Sequence, residues 1–323
     1  MYGYYLNTNP ILKRLSDSDN LNVFTDVVSP YNFTSEVFKL ILSLKSQEDS
    51  LYWADTPLFP TILKKSGWGS FFYSNQIIKK NGDAWDFEIG CYLNNRDIED
   101  QTFSGRNDKR HKYDIELIED YDSLSYKLLE HNFIIFSLVG QHMKYNERFP
   151  PEYTYFTPDS INRNDLSMSQ KQVIADYDNA TRYNDYVVNE IFNKFKDNDA
   201  VVIYMSDHGE EVFDYRIQID RTHEPLIFPD MARYQFEIPF MIWTSDTFKV
   251  KHPELNEKIR NSVNRPFLTD DVPHLILDLA ANQTKWFDPT RSVINDKFNV
   301  NRKRFLRSGE DYDKIMKSPK IQN

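Results

Sequence analysis

The segment Tyr204-Met205-Ser206-Asp207-His208-Gly209-Glu210 sets a carboxylate, an imidazole and a glycine directly after the apolar run Ala200 to Met205. Parallel sheets present ligand sites at the carboxyl ends of their strands. Asp207 and His208 there offer the oxygen and nitrogen donors that a zinc ion takes, and Gly209 lets the backbone turn tightly. The same residues also read as an ordinary loop in which Asp207 caps a following helix and His208 is a satisfied surface residue, since two ligands are too few for a closed zinc site. Thr34 is a second candidate. It follows the turn Ser29-Pro30-Tyr31-Asn32, and Val37, Phe38, Ile41 and Leu44 then recur at helical spacing, so the pattern predicts a helix with Thr34 as its N-cap. A hydroxyl at that place, where free N–H groups and the macrodipole favour negative charge, suits a nucleophile and its phosphoester. A plain cap is the blander alternative. His142 follows the apolar run Phe133 to Leu138 through Val139-Gly140-Gln141, and His223 lies in a polar loop after the Asp-His pair. Either could donate to a phosphate or protonate a leaving group. His111, His131, His252 and His274 sit in polar or helical surroundings that suggest no role.

The elements that must position these residues are an α/β set. The runs Phe133 to Leu138 and Ala200 to Met205 look like strands buried on both faces, each preceded by a helical pattern. Residues 170 to 195 give the clearest helix, with Val173, Tyr177, Ala180, Val187, Ile191 and Phe195 on one stripe and Ser169 with Gln172 as a capping box. It turns through Lys196-Asp197-Asn198-Asp199 into the strand at Ala200. Leu58 to Lys65 and then Ser70 to Tyr73 read as helix and strand, and Val272 to Ala281 as a late helix. Such alternation implies a largely parallel sheet covered by helices. Residues 82 to 112 are polar and irregular and predict no particular element.

Composition removes several function classes. Among 323 residues, 39 Lys and Arg face 49 Asp and Glu, a formal net charge of −10. A nucleic-acid binder needs clustered positive charge. The longest basic clusters, Lys79-Lys80 and Arg302-Lys303-Arg304, are short and read as solvated surface. With 40% hydrophobic residues, including 23 Phe and 20 Tyr, the chain can bury a large core. No apolar run approaches the ~20 residues that span a bilayer, and the N-terminus MYGYYLNTNP lacks the pattern of a signal peptide. A lone Cys91 forbids an internal disulfide. No composition break argues for more than one domain, so 1–323 is expected to be a single unit.

Taken together, these segments resemble the catalytic domain of the phosphoethanolamine transferases, a branch of the alkaline phosphatase and sulfatase superfamily. The resemblance runs from GYYLNTNPIL at Gly3 through VVSPYNFTSEVFKLILS, the SNQ of Ser74 to Gln76, SLVGQHMKYNERFPPEY, YDNATRYNDYVVNEIF and YMSDHGEEVFDY to FEIPFMIW, TDDVPHLILDLA and FDPTRSV. It implies an α/β/α sandwich, alkaline phosphatase-like, and a zinc enzyme that moves phosphoethanolamine from phosphatidylethanolamine onto lipid A or another glycan. Matched by position, Thr34 falls on the family's nucleophile, Asp207 and His208 with Thr34 on zinc ligands, His142 and His223 on residues that contact the transferred group, and Asn75 on a polar pocket position. The resemblance further implies a monomer that faces the periplasm at the inner membrane, with no nucleic-acid partner.

Two departures from the family pattern stand out. The family's further zinc ligand, a glutamate just after the first strand, and the transmembrane helices that precede the domain both lie upstream of the segment that here starts at Gly3. The first strand would be missing too, which leaves an unpaired central edge. Residues 1–323 are therefore expected to be a fragment, a product of a misplaced start or a decayed copy, with reduced zinc affinity and little transferase activity. Rival readings are a phosphodiesterase or phosphatase that uses Thr34, and a non-catalytic remnant that binds glycan or lipid headgroups. Sulfatases carry a Cys or Ser in a CxPxR-type sequence, whereas Cys91 lies in GCYLNN, which disfavours sulfate-ester chemistry.

Overall fold

In the computed structural model, which describes residues 3–76, 87–282 and 284–318, the chain opens with helix α1 (Pro10–Ser16), strands β1 (Leu21–Phe24) and β2 (Val27–Val28), and helix α2 (Thr34–Leu42). Then come α3 (Phe59–Lys65), β3 (Gly69–Ser74), α4 (Phe87–Leu93), α5 (Arg96–Thr102), β4 (Gly105–Arg106), α6 (Leu117–Leu124), β5 (Asn132–Ser137) and α7 (Met168–Phe195). The remainder holds β6 (Val201–Met205), β7 (Glu211–Val212), β8 (Ile219–Asp220), α8 (Pro229–Phe236), β9 (Phe240–Thr244), α9 (Asp246–Lys251), α10 (Pro253–Asn261), β10 (Phe267–Leu268), α11 (Val272–Leu279) and α12 (Tyr312–Ile315).

Side chains alternate across the strands and so need helices on both faces. On one face Phe72, Phe133 and Ile135 pack with Phe38 of α2, Leu63 of α3 and Leu277 of α11. On the other, Phe71, Tyr73, Ile134 and Phe136 meet Leu117 and Tyr121 of α6 and Phe195 of α7. The second half of the sheet repeats this: Ile203, Phe240 and Ile242 pack with Phe248, Ile259 and Leu275, while Val202, Tyr204, Met241 and Trp243 face Leu12 of α1 and Val188 and Phe192 of α7. The result is an α/β/α sandwich.

Pairing divides the sheet in two. Strands β4, β3 and β5 run parallel, with Gly69 to Ser74 in register with Asn132 to Ser137. Strands β1, β9 and β6 are antiparallel, with Val201 to Met205 opposite Thr244 to Phe240. Among the described residues β5 and β6 each end their sheet, and no strand lies between them. Among the described residues β5 and β6 are thus both edge strands. Strands β3 and β9 are wholly buried, whereas β5 is buried only at Ser137 and β6 nowhere.

Several sequence expectations need correction. The capping box of α7 is Ser167 with Gln170, not Ser169 with Gln172: Ser167 Oγ accepts from the Gln170 N–H and Gln170 Oε1 accepts from the Ser167 N–H. Thr34 is not an N-cap. Phe33 takes that position with extended backbone, and no side chain caps α2. Arg302 and Arg304 are not solvated surface: Arg302 pairs with Asp270 and Asp271, and Arg304 with Asp26 and Asp313. Carboxylates remote in sequence drew them inward. Lys79-Lys80 lies outside the described residues. Within 82–112 the chain forms α4, α5 and β4. Among the described residues no helix is long and apolar enough to cross a membrane.

Candidate active site

Strand β6 ends at Met205, and the turn after it brings Asp207 and His208 against the first turn of α2. The close packing there explains the glycine: a Cβ on Gly209 would sit 2.3 Å from the Tyr234 carbonyl oxygen. The Gly209 N–H donates to the Gln235 carbonyl at 3.0 Å, which ties this turn to α8. Thr34 Oγ1 lies 3.2 Å from His208 Nε2, and Asp207 Oδ2 lies 3.3 Å from the same nitrogen. His208 Nδ1 is 2.8 Å from the Gly209 carbonyl, which only accepts, so Nδ1 carries the proton and Nε2 presents its lone pair. Burial, reinforced by the positive charge of Arg221 and opposed by Asp207, pushes the His208 pKa down, so the ring stays neutral. Thr34 Oγ1 faces His208 instead of folding back on its own helix. The first N–H groups of α2 therefore have no side-chain cap and remain open to an anion.

Of the other sequence candidates, His142 lines the same cavity of about 1420 Å³ as Thr34, Asp207 and His208. Its Nδ1 donates to the Met143 carbonyl at 2.8 Å, which leaves Nε2 free. His223 stacks on Phe33, next to Thr34, with ring centroids 3.9 Å apart and 8° between planes. Its loop is held to the segment before Thr34, because Asn32 Nδ2 donates to the Thr222 carbonyl at 3.0 Å and Arg307 reaches Asn32, Thr222 and Glu224. Asn75 is placed otherwise. It is buried, its Nδ2 donates to Asp114 at 2.7 Å and its Oδ1 accepts from the His111 N–H, and it is not among the residues lining the cavity.

Asp114 is a positioning residue that the sequence did not disclose. Buried below the turn that carries His142, it accepts from the Val139 and Gly140 N–H groups at 3.0 and 2.8 Å. Arg148 braces the same turn from outside through the His142 and Met143 carbonyls. Beyond His208, Glu210 accepts from Tyr145 and from Arg221. Burial, only partly offset by Arg221, pushes the Glu210 pKa up to about 6. The partners of Asp114 lie 25 to 39 residues away in sequence, so no local pattern marks it.

The description Sulfatase fits residues 1–282. The chain belongs to the sulfatase family. This sulfatase-family chain is 28% identical over 310 residues to phosphoethanolamine transferase EptC of Escherichia coli, a match covering 92% of the chain and 51% of the relative. It is 28% identical to phosphoethanolamine transferase CptA of Salmonella typhimurium, with the same coverage. The chain therefore spans about half the length of the curated relatives it matches. Its fold superposes on the crystal structure of the C-terminal periplasmic domain of EptC from Escherichia coli with a TM-score of 0.81 at 27% identity, covering 97% of this chain and 87% of that one. A zinc complex of that domain matches with a TM-score of 0.80.

The donor chemistry of this sulfatase-family site fits zinc. An unprotonated imidazole nitrogen and a carboxylate oxygen stand 3.3 Å apart, both with lone pairs to offer, and the Thr34 hydroxyl adds a third donor. Among the described residues no third His, Cys, Asp or Glu joins Asp207 and His208. The exposed Cys91 belongs to α4 and is not among the residues lining the cavity.

Proposed function

We propose that this domain, one catalytic unit, transfers phosphoethanolamine from phosphatidylethanolamine to a hydroxyl of lipid A or another glycan, with Thr34 as the covalent carrier. The observation that carries the reading is the 3.2 Å approach of Thr34 Oγ1 to the unprotonated Nε2 of His208 at the uncapped start of α2. Thr34 Oγ1 attacks phosphorus as its hydroxyl proton leaves to solvent, and the bond from phosphorus to the diacylglycerol oxygen breaks. The open N–H groups of α2 hold the phosphoryl oxygens as charge builds on them. The departing diacylglycerol oxygen takes a proton from His142 or His223. In the second step the acceptor hydroxyl gives a proton back to that histidine and attacks the phosphothreonine, which frees Thr34. Thr34, Asp207 and His208 would hold a zinc ion, whose positive charge would ease loss of the hydroxyl proton. Asn75 acts here through Asp114, at one remove from substrate.

The names of the relatives and the zinc complex of the Escherichia coli domain support this reading, and similarity to a C-terminal periplasmic domain supports a place on the periplasmic side of the inner membrane. Held by Thr34, Asp207 and His208 alone, zinc would bind weakly and turnover would be slow, and the domain is expected to act as a monomer. The test is mass spectrometry of the Thr34 peptide after incubation with phosphatidylethanolamine vesicles and zinc. A phosphoethanolamine adduct on Thr34, absent from Thr34→Ala, is the expected result; an adduct elsewhere, or none in a chain extended to the relatives' full length, overturns it. Release of ethanolamine phosphate without a glycan acceptor would instead identify a hydrolase.

A further inference from the structure

His111 suggested no role in the sequence, yet both of its ring nitrogens are engaged. Nδ1 lies 3.1 Å from Glu116 Oε2 and Nε2 lies 2.6 Å from Asp120 Oδ2, with only 5% of the side chain exposed. A carboxylate oxygen only accepts, and a neutral imidazole carries one N–H. A neutral ring would therefore set a lone pair against one of the two carboxylates. A proton between a carboxylate and an imidazole rests on the imidazole, the stronger base. Burial disfavours the resulting ion, and two charge-assisted hydrogen bonds oppose that cost. Among the other titratable groups nearby, Lys112 Nζ lies 5.0 Å over the Tyr113 ring and Arg110 Nη2 donates to the Gln76 carbonyl at 3.0 Å. Tyr73 of β3, near Asp120, and Tyr183 of α7, near Glu116, stay neutral because burial opposes their ionisation.

The backbone of the same residue leads to the site. The His111 N–H donates to Asn75 Oδ1 at 3.0 Å, and Asn75 Nδ2 donates to Asp114 Oδ1 at 2.7 Å. Asp114 in turn accepts from the N–H groups of Val139 and Gly140, three and two residues before His142. Glu116 closes the short turn that Asp114 begins, and Asp120 lies in α6 directly after it. Ring and backbone of His111 thus grip one polar network from two sides, so that Asp114 is fixed both through Asn75 and through the turn it starts.

We propose that His111 is an imidazolium ion clamped between Glu116 and Asp120, and that this clamp positions His142 by holding Asn75 and Asp114 under the turn that carries it. His111 touches no substrate in this reading and acts through two other side chains. The ion and the network stand on their own hydrogen bonds; only the catalytic use of His142 rests on the proposed transfer. A lost or neutral clamp leaves Asp114 with the same partners but frees the segment around it to move, and the turn of His142 moves with it.

The test begins with nitrogen NMR of residues 1–323 labelled at histidine, at pH 7, with the His111 signals assigned by their loss in His111→Gln. Protons on both ring nitrogens are expected, and a proton on only one overturns the proposal. Amide hydrogen exchange then reads the positioning. His111→Gln should speed exchange at Val139 and Gly140 by about fivefold or more and shift the His142 ring signals, while the His223 ring and the amides of β9 stay as they were. Equal speeding in β9 would mean that His111 supports the fold in general, and no change at Val139 and Gly140 would mean that the turn stands without it; either overturns the proposal. Glu116→Gln removes one charge but keeps an acceptor, so it should give the same pattern by a smaller factor. If His111→Gln does not fold, Glu116→Gln decides alone: faster exchange confined to Val139 and Gly140 supports the clamp, and unchanged or uniform exchange overturns it. None of these readouts uses the Thr34 adduct, so failure of the transfer reading and failure of the clamp are told apart.

Discussion

Two clusters of adjacent polar residues lie at the ends of strands in this molecule, and they differ in how completely their charges are answered. Asp270 and Asp271, next to β10, are almost fully buried and closed by arginines. Arg302 gives two bonds to Asp270 at 2.7 and 2.8 Å and one to Asp271 at 2.7 Å, Arg291 pairs with Asp271, and the Gln47 N–H donates to Asp270. Burial opposes ionisation of Asp270, but Arg302 outweighs it and holds the pKa low; burial and the neighbouring Asp270 charge push Asp271 up to about 7. Asp207 and His208, next to β6, have no such closure, and the His208 lone pair faces a hydroxyl and a carboxylate. The first cluster has spent its electrostatics on the fold, while the second keeps donors available for something that is not protein.

That contrast can be broken by substitution. Thr34→Ala should abolish the phosphoethanolamine adduct while changing stability by less than about 1 kcal/mol, because Thr34 caps nothing; a large drop in the urea midpoint would mean that this cluster, too, is structural. Arg302→Ala should cost about 3–5 kcal/mol in chemical denaturation by removing the bidentate partner of the buried Asp270 carboxylate. If it costs no more than Thr34→Ala, the distinction fails. Gly209→Ala should cost about 1–3 kcal/mol, since the new methyl meets the Tyr234 and Gln235 backbone, and should also weaken the zinc-dependent rise in melting temperature by displacing His208.

The smallest expected effect concerns Asp178, which sits apart from both clusters. Burial pushes its pKa up to about 7, against the hydrogen bond it accepts from Tyr4 at 2.9 Å. The folded state thus binds this proton more tightly than the unfolded state, so the contribution is most favourable below the unfolded pKa and is lost as pH rises through about 7. Asp178→Asn should flatten that part of the stability profile between pH 4 and 8 in paired urea titrations, and an unchanged slope would refute the assignment.

The sequence made the elements legible wherever local pattern decides them: the apolar stripe of α7, the runs of β5 and β6, and the turn before Thr34 all lie within a residue or two of their expected places. The Asp-His turn and Thr34 were legible as chemistry from local pattern, but as neighbours only through the family resemblance, because 174 residues separate Thr34 from His208. What stayed hidden depends on partners distant in the chain. Arg302 and Arg304 read as surface because their carboxylates include Asp270 and Asp26, and Asp114 read as nothing because it works through Asn75, Val139 and Gly140.

The first helix carries a consequence for the order of assembly. Helix α1 has seven residues, too few to persist alone in water. No side chain of its own caps it; the Ile11 and Leu12 N–H groups donate to the carboxylate of Asp185, 174 and 173 residues further on. During synthesis α1 must wait as unstructured chain until Asp185 has emerged and α7 has formed. Helix α1 is therefore among the late parts of this domain to settle, and until α7 forms it is open to whatever protease or chaperone meets it first.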